Sequence, residues 1–314
     1  KRGYEVAYGQ EVLGHMSTAV PSDRPYQVTR GWHNVGVKGQ DFEVLFSILH
    51  GGLVSYRYGG VELFKSIPKP NFWRALTDND VANLLPFRAG QWKIASMYSS
   101  FKYEHGRATT DCTIDEAEDH VTITYTYHLP VKPQMDCQVA YSVYGDGEVK
   151  VAMTMDPSAE VGELPEYSML FTMDADYDNL TWYGLGPEET YVDKCHAKLG
   201  LYSNKVADNM AKYLVPQECG NKVGVRYAKV TDEKGRGLLF KGDKLHFSAL
   251  PYSPHELDNA LHATELPPVH YTFIRVGLEQ MGIAGDDTWG ALTHPEYLID
   301  NSKKLTLTFS FRGI

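Results

Sequence analysis

Cysteine is scarce in this chain: Cys112, Cys137, Cys195 and Cys219 are spread over 314 residues with no C-x-x-C among them. That spacing signals neither a zinc site nor a dithiol redox motif, and the four read as free thiols of a reducing compartment. No apolar run approaches the roughly 18 residues of a membrane span, and the opening KRGYEVAYGQ lacks the apolar centre of a signal peptide. Runs of lysine or arginine are missing too. With a formal charge of −10 and both signs interspersed, a nucleic-acid or anionic-membrane surface is not expected, and a neutral ligand fits better. The twelve histidines are scattered, and HELD at 255–258 has no second histidine four residues past His255, which excludes a metalloprotease helix. The chain also lacks an initiator methionine, which reads as a fragment or a processed product. A removed targeting segment is compatible with that, and the cytoplasm is the expected compartment.

What is present is a composition of 43% hydrophobic and 22% charged residues, enough for one large folded domain. In HVTITYTYHL the residues Val121, Ile123, Tyr125, Tyr127 and Leu129 share one face of a strand, with Thr122 and Thr124 opposite. KLTLTFSFRGI repeats the pattern with Leu305, Leu307, Phe309 and Phe311. QVAYSVYGDGEVKVAMTMDP predicts a hairpin turning at Gly145-Asp146-Gly147, and FEVLFSILHGGLVSYRYGGVELF predicts short strands broken at Gly51-Gly52 and Gly59-Gly60. Helical signal is sparse. SPHELDNAL predicts one short helix, with Ser253 as N-cap and Pro254 at its first position. About fifteen strands or more without alternating helices select an antiparallel sandwich or barrel, most simply a large two-sheet sandwich. Near the start, YEVAYGQEVLG predicts an edge strand and STAVPSDRPYQVTRG a linker, with a boundary near residue 30.

Three phrases in order, PKPNFWRALTDND (68–80), WYGLGPEETYVD (182–193) and QMGIAGDDTWG (280–290), resemble the C-terminal domain, or small subunit, of the glycoside hydrolase family 2 β-galactosidases. The resemblance runs from about residue 35 to the end. It implies an all-β fold, a large antiparallel supersandwich of the galactose mutarotase-like kind with few short helices, occupying 31–314. Residues 1–30 would be the end of a preceding β-sandwich domain plus linker, and an excised C-terminal fragment is favoured slightly over a separate small subunit. Family enzymes hydrolyse terminal β-D-galactosyl residues with retention, using two carboxyl groups about 5 to 5.5 Å apart. Both are glutamates of a TIM barrel that this chain does not contain. The resemblance therefore implies no catalytic residue here and an inactive chain when alone. It implies a barrel partner on the same polypeptide or a large subunit, an oligomeric complete enzyme, and Mg²⁺ and Na⁺ held at the barrel, with none bound by this chain.

The same resemblance puts Trp289 at the mouth of the active site, as a platform for galactose and the aglycone. An indole suits a sugar because axial C–H groups offer an apolar patch while the hydroxyls stay at the edge. The competing reading is a core tryptophan. Asp286 and Asp287 invite a metal, but two adjacent carboxylates in a glycine loop lack the further oxygens that Ca²⁺ requires, so they read as turn caps. Gly282, Gly285 and Gly290 allow the sharp path, and Ala284 stands where the family has glycine, which would strain the loop if that position needs positive φ. In FWRALTDND, Asp78 and Asp80 could form an acid/base pair, yet a hydrogen-bonded turn anchored by Arg74 fits better. VANLLPFRAGQW matches a family loop near the entrance, with Val81-Ala82 replacing a usual Arg-Gly. Glu188, Glu189 and Asp193 read as the capping face of a turn, and His294 as a local hydrogen-bonding residue. Two rivals remain: a galactoside-binding module, and an aldose epimerase, which needs a positioned His and Glu that no phrase supplies.

Overall fold

A computed structural model describes residues 5–314 apart from 12, 15–21, 99–101, 105, 106, 110 and 288. Every strand pairing among the described residues is antiparallel. Twelve strands form one sheet, five a second and two a short ribbon. The five-stranded sheet is a meander from Gln27–Arg30 to Val61–Glu62, so its first strand lies inside the stretch read as linker. Tyr4 and Val12 of the expected edge strand, and 17–21 of the linker, lie outside the described residues; the described residues of 5–14 carry no strand.

The alternation seen in the sequence sets the layers. Along His120–Leu129 the residues Val121, Ile123, Tyr125, Tyr127 and Leu129 are buried while those between are half-buried, and Leu305–Gly313 alternates in the same way. These faces meet the five-stranded sheet. Phe46 and Tyr141 lie 5.5 Å apart, Tyr56 and Phe311 5.3 Å, and the Tyr127 hydroxyl donates to Gly51 O at 2.9 Å across the layers. The predicted hairpin joins Met135–Tyr144 to Val149–Met155, with Gly147 at φ +84°. Its turn is tied into the core, because the Tyr56 hydroxyl donates to Gly147 O at 2.6 Å.

Three α-helices occur among the described residues: α1 (Asp78–Ala82), α2 (Leu85–Tyr98) and α3 (Pro254–Asn259). α3 starts as expected, with the Ser253 side chain accepting from Glu256 N. α2 occupies the segment read as an entrance loop. Its buried residues Leu85, Ala89, Trp92, Ala95 and Ser96 fall at helical spacing, but Phe87, Ile94 and Met97 are exposed, so the sequence shows little contrast between its faces. Phe72 packs on Trp92 at 5.5 Å and so ties α2 to the sheet. No helix among the described residues is long and apolar enough to cross a membrane.

The strands nearest the three motifs differ from the rest. Glu166–Asp174 is buried along almost its whole length, on both faces. Tyr167, Met169 and Phe171 belong to the apolar core, whereas Glu166 and Ser168 alternate with them. Arg275 of the neighbouring strand Tyr271–Gln280 donates to Glu166 at 2.7 Å, to Ser248 at 2.9 Å and to Glu218 at 2.6 Å. This covered polar layer packs one guanidinium against two carboxylates. Burial pushes the Glu166 carboxyl up, Arg275 pulls it back and the Glu218 charge adds to the rise. His246, buried beside Arg275, is pushed down to about 4 by its burial and by that charge, and so is neutral at pH 7.

On the opposite margin of the sheet, His128 bridges three strands: Nε2 meets Asp111 Oδ2 at 2.9 Å and Nδ1 meets Asp136 Oδ1 at 2.7 Å. Both ring nitrogens can donate only in the imidazolium. Partial burial opposes that charge, but the hydrogen bonds to Asp111 and Asp136 outweigh it and raise the pKa above 6.5. A raised folded-state value stabilises fully below the unfolded pKa and is lost as pH rises through the folded one. Protection of the Asp111–Glu116 amides from hydrogen exchange should therefore fall as pH rises above the ordinary histidine value and through the raised His128 pKa, and His128→Gln should remove that dependence. An identical pH dependence in the variant would rule the bridge out.

Candidate functional site

The three phrases are far apart in sequence and meet in space. Arg74 is fully buried, with a bidentate contact to Asp80: Nη2 to Oδ1 at 2.9 Å and Nε to Oδ2 at 3.2 Å. Asp80 is placed by the start of α1. Thr77 is its N-cap, accepting from Asp80 N at 3.1 Å, while Asp80 Oδ2 accepts from Thr77 N at 3.1 Å. The remaining guanidinium donors cross to the third phrase, Nη1 to Met281 O and Nη2 to Gly282 O at 2.9 Å. Burial works against the Arg74 charge, but Asp80 outweighs it and raises its pKa, with Glu218 and Tyr191 adding to the rise.

The second phrase grips the same loop from the other side. Asp193 Oδ2 accepts from Ile283 N at 2.8 Å and Ala284 N at 2.9 Å, so one carboxylate oxygen fixes two consecutive peptides. Thr293 donates to Gly282 O at 3.3 Å and Asn79 to Ala291 O at 3.0 Å, holding the return limb. Between these attachments the loop turns on Asp287, whose Oδ1 accepts from Trp289 N at 2.8 Å and Ala291 N at 3.3 Å. Asp286 Oδ1 instead meets His294 Nε2 at 2.7 Å, and this hydrogen bond raises the His294 pKa. Gly290 combines φ +105° with a close approach to α1: a Cβ there would lie 2.9 Å from Ala82 O. At Gly285 a Cβ would lie 2.6 Å from Ala291 O. Ala284 is not among the positive-φ residues, so alanine is unstrained there.

Trp289 is 89% exposed at the crest of this loop and so is not a core residue of this chain. Exposed apolar residues nearby in sequence or on the two helices and their connection are Leu292, Val81, Leu84 and Phe87. The acids read as a conceivable acid/base pair are engaged separately: Asp80 by Arg74, and Asp78 by Gln217, whose amide donates to Asp78 Oδ2 and accepts from Asp78 N, both at 3.1 Å. Glu189 caps Gly220 N at 2.8 Å and meets Lys194 at 2.9 Å, while Glu188 is exposed. Sequence reasoning missed the reach of Arg74 and the role of Asp193. The separations are 207 residues for Arg74 to Met281 and 90 for Asp193 to Ile283, which no local pattern encodes. The one available signal is that the three phrases occur together.

The family model described as beta galactosidase small chain matches residues 38–312. A β-galactosidase of Halalkalibacterium halodurans is 37% identical over 100% of this chain and 31% of its own length, and one of Priestia megaterium is 41% identical over 99% and 30%. The chain thus spans about a third of these relatives. A β-galactosidase small subunit of Latilactobacillus sakei is 32% identical over 85% of this chain and 91% of its own. Among solved structures, a putative aldose 1-epimerase from Escherichia coli K12 has a TM-score of 0.46 at 10% identity, over 92% of this chain and 99% of that one.

Removing one partner of a buried ion pair leaves the other charge uncompensated and costs about 3–5 kcal/mol. Asp80→Ala should lower stability to urea by that order and increase hydrogen exchange at the Gly282–Ala284 amides. Asp193→Ala should increase exchange at Ile283 and Ala284 with a much smaller loss of stability. Unchanged exchange in both variants would show that neither side chain holds the loop.

Proposed function

The chain belongs to the beta-galactosidase small chain family, and from that premise we propose that it is the C-terminal portion of a retaining β-galactosidase. Residues 31–314, together with the strand Gln27–Arg30 that pairs with Asn34–Lys38, are the supersandwich domain, and the residues before that strand are the end of a preceding β-sandwich with its linker. The substrate is a terminal β-D-galactoside of the lactose type, the compartment is the cytoplasm, and the complete enzyme is an oligomer. The catalytic carboxyl pair, one nucleophile and one acid/base, belongs to a TIM-barrel partner, so this chain alone is inactive. Mg²⁺ and Na⁺ go with the barrel.

The observation that carries this reading is the posture of Trp289: an 89% exposed indole on a loop whose base is gripped by Arg74 and Asp193. Leaving so large an apolar ring in water is unfavourable unless something covers it. A rigid base with an exposed aromatic crest suits a surface completed from outside, by the barrel on one side and the sugar on the other. Asp286, Asp287 and Gly285 then serve the platform by setting the path of the chain. The epimerase reading needs an accessible acid and base. His246 and Glu166 are only 7% and 4% exposed, beneath the covered polar layer.

Covering the indole with sugar is worth roughly 1.5–3 kcal/mol, which is about ten- to a hundredfold in affinity. In the complete enzyme, Trp289→Ala should raise KM by about that factor, with Trp289→Phe recovering part of it. An unchanged KM would refute the platform role. Calorimetry on the chain alone with galactose or lactose should show nothing tighter than about millimolar, whereas micromolar binding would make it an autonomous binding module.

A further inference from the structure

The twelve-stranded sheet ends on one side at Lys198–Lys205, which pairs with Asn179–Gly186 and through it neighbours Lys222–Thr231. Side chains alternate between the faces of a strand, and directly opposed partners share a face. Leu180 and Trp182 are buried in the core, so Thr181, Tyr183 and Leu185 point away from it. By register Leu201 stands beside Tyr183, Tyr183 beside Tyr227, and Leu199 beside Leu185. Leu201 is 61% exposed, Tyr183 is exposed next to it, and the Tyr183 and Tyr227 rings stack at 5.9 Å. One corner of the sheet thus carries an apolar outer face that the described residues leave open at Leu201 and Tyr183.

The chain ahead of the five-stranded sheet passes this same corner. The Gln10 side chain accepts from Leu199 N at 2.7 Å and donates to Leu199 O at 2.8 Å. Glu5 pairs with Lys198, and Lys198 Nζ lies 4.8 Å from the centroid of the Tyr8 ring. The apolar side chains of the stretch have nothing to pack on: Val6 is 90% exposed, and Leu13 is exposed as well. Two uncovered apolar surfaces therefore adjoin, one on the incoming stretch and one on the sheet, and leaving both in water is unfavourable.

We infer that the outer face around Leu201, Tyr183 and Tyr227 is the seat of the β-sandwich domain that precedes Gln27 in the complete enzyme. The inference rests on the reading of this chain as a C-terminal portion, whose relatives it spans to about a third of their length. The last residues of that domain are tied to Lys198 and Leu199, which brings its body to within a few residues of Leu201. Three strands about 4.8 Å apart and eight residues long, at about 3.3 Å each, present roughly 380 Å². Interfaces between domains of one chain bury roughly 600–1,500 Å² over both partners, so one side of that size suffices. A second copy of the chain is the weaker occupant, because the tethered domain already stands at this corner.

In the complete enzyme, cysteines introduced by Leu201→Cys and Tyr183→Cys should react with a maleimide at least about tenfold more slowly than the same cysteines in the urea-unfolded enzyme. Labelling is read peptide by peptide, so the native thiols do not interfere. As a second measurement that needs no variant, amine cross-links from Lys198 and Lys229 should reach residues ahead of Lys1 in the same polypeptide. A mixture of isotopically light and heavy enzyme separates those links from links between copies. Introduced cysteines that react as fast in the native as in the unfolded enzyme, or links that run only between copies, would overturn the seat and leave the C-terminal reading standing. A complete enzyme with no segment ahead of Lys1 overturns both.

Discussion

A single guanidinium organises the site. Arg74 is buried with Asp80 and spends its remaining donors on the carbonyls of Met281 and Gly282. A buried ion pair is weak ground for stability, because desolvation offsets most of the attraction. Its value here is geometric. The planar fork of arginine satisfies a carboxylate on one side and backbone oxygens on the other, which the point charge of a lysine cannot do in the same directions. The capping box of α1 sets Asp80, Asp80 sets Arg74, and Arg74 sets the entry of the loop that carries Trp289.

That chain of dependence rests on the double-faced character of the central strands. One face of Glu166–Asp174 and Tyr271–Gln280 packs aromatic and aliphatic side chains into the sandwich core; the other carries Glu166, Ser168 and Arg275 beneath covering segments. Glu218 joins the two polar groups, pairing with Arg275 and lying near enough to Arg74 to raise its pKa. Charges this deep are tolerated because each carboxylate faces a guanidinium. The loop therefore grows from a rigid polar floor, while its crest has few attachments beyond the Asp287 turn.

Much of the fold was legible. Alternation in His120–Leu129 and Leu305–Gly313, the glycine turn at 145–147 and the Ser253 cap each act within a few residues, and the structure keeps all of them. Helix α2 was not legible, because exposed Phe87, Ile94 and Met97 blur the face that Leu85, Ala89 and Trp92 bury. The strand at Gln27–Arg30 was hidden by a polar composition that suits an exposed edge as well as a linker.

The sequence by itself determined an antiparallel β architecture, the capping turn at Asp287 and the family resemblance, because local sterics, hydrogen bonding and side-chain period act over short stretches of chain; Asp286, read as a second cap, bonds the His294 ring instead. Only the tertiary structure decided that the three phrases close on one loop, that Asp193 holds two of its peptides and that Trp289 stands in solvent. Those outcomes depend on which side chain ends up opposite which carbonyl after the sheet has curled. A separation of 90 or 207 residues leaves no periodicity from which such a pairing could be read.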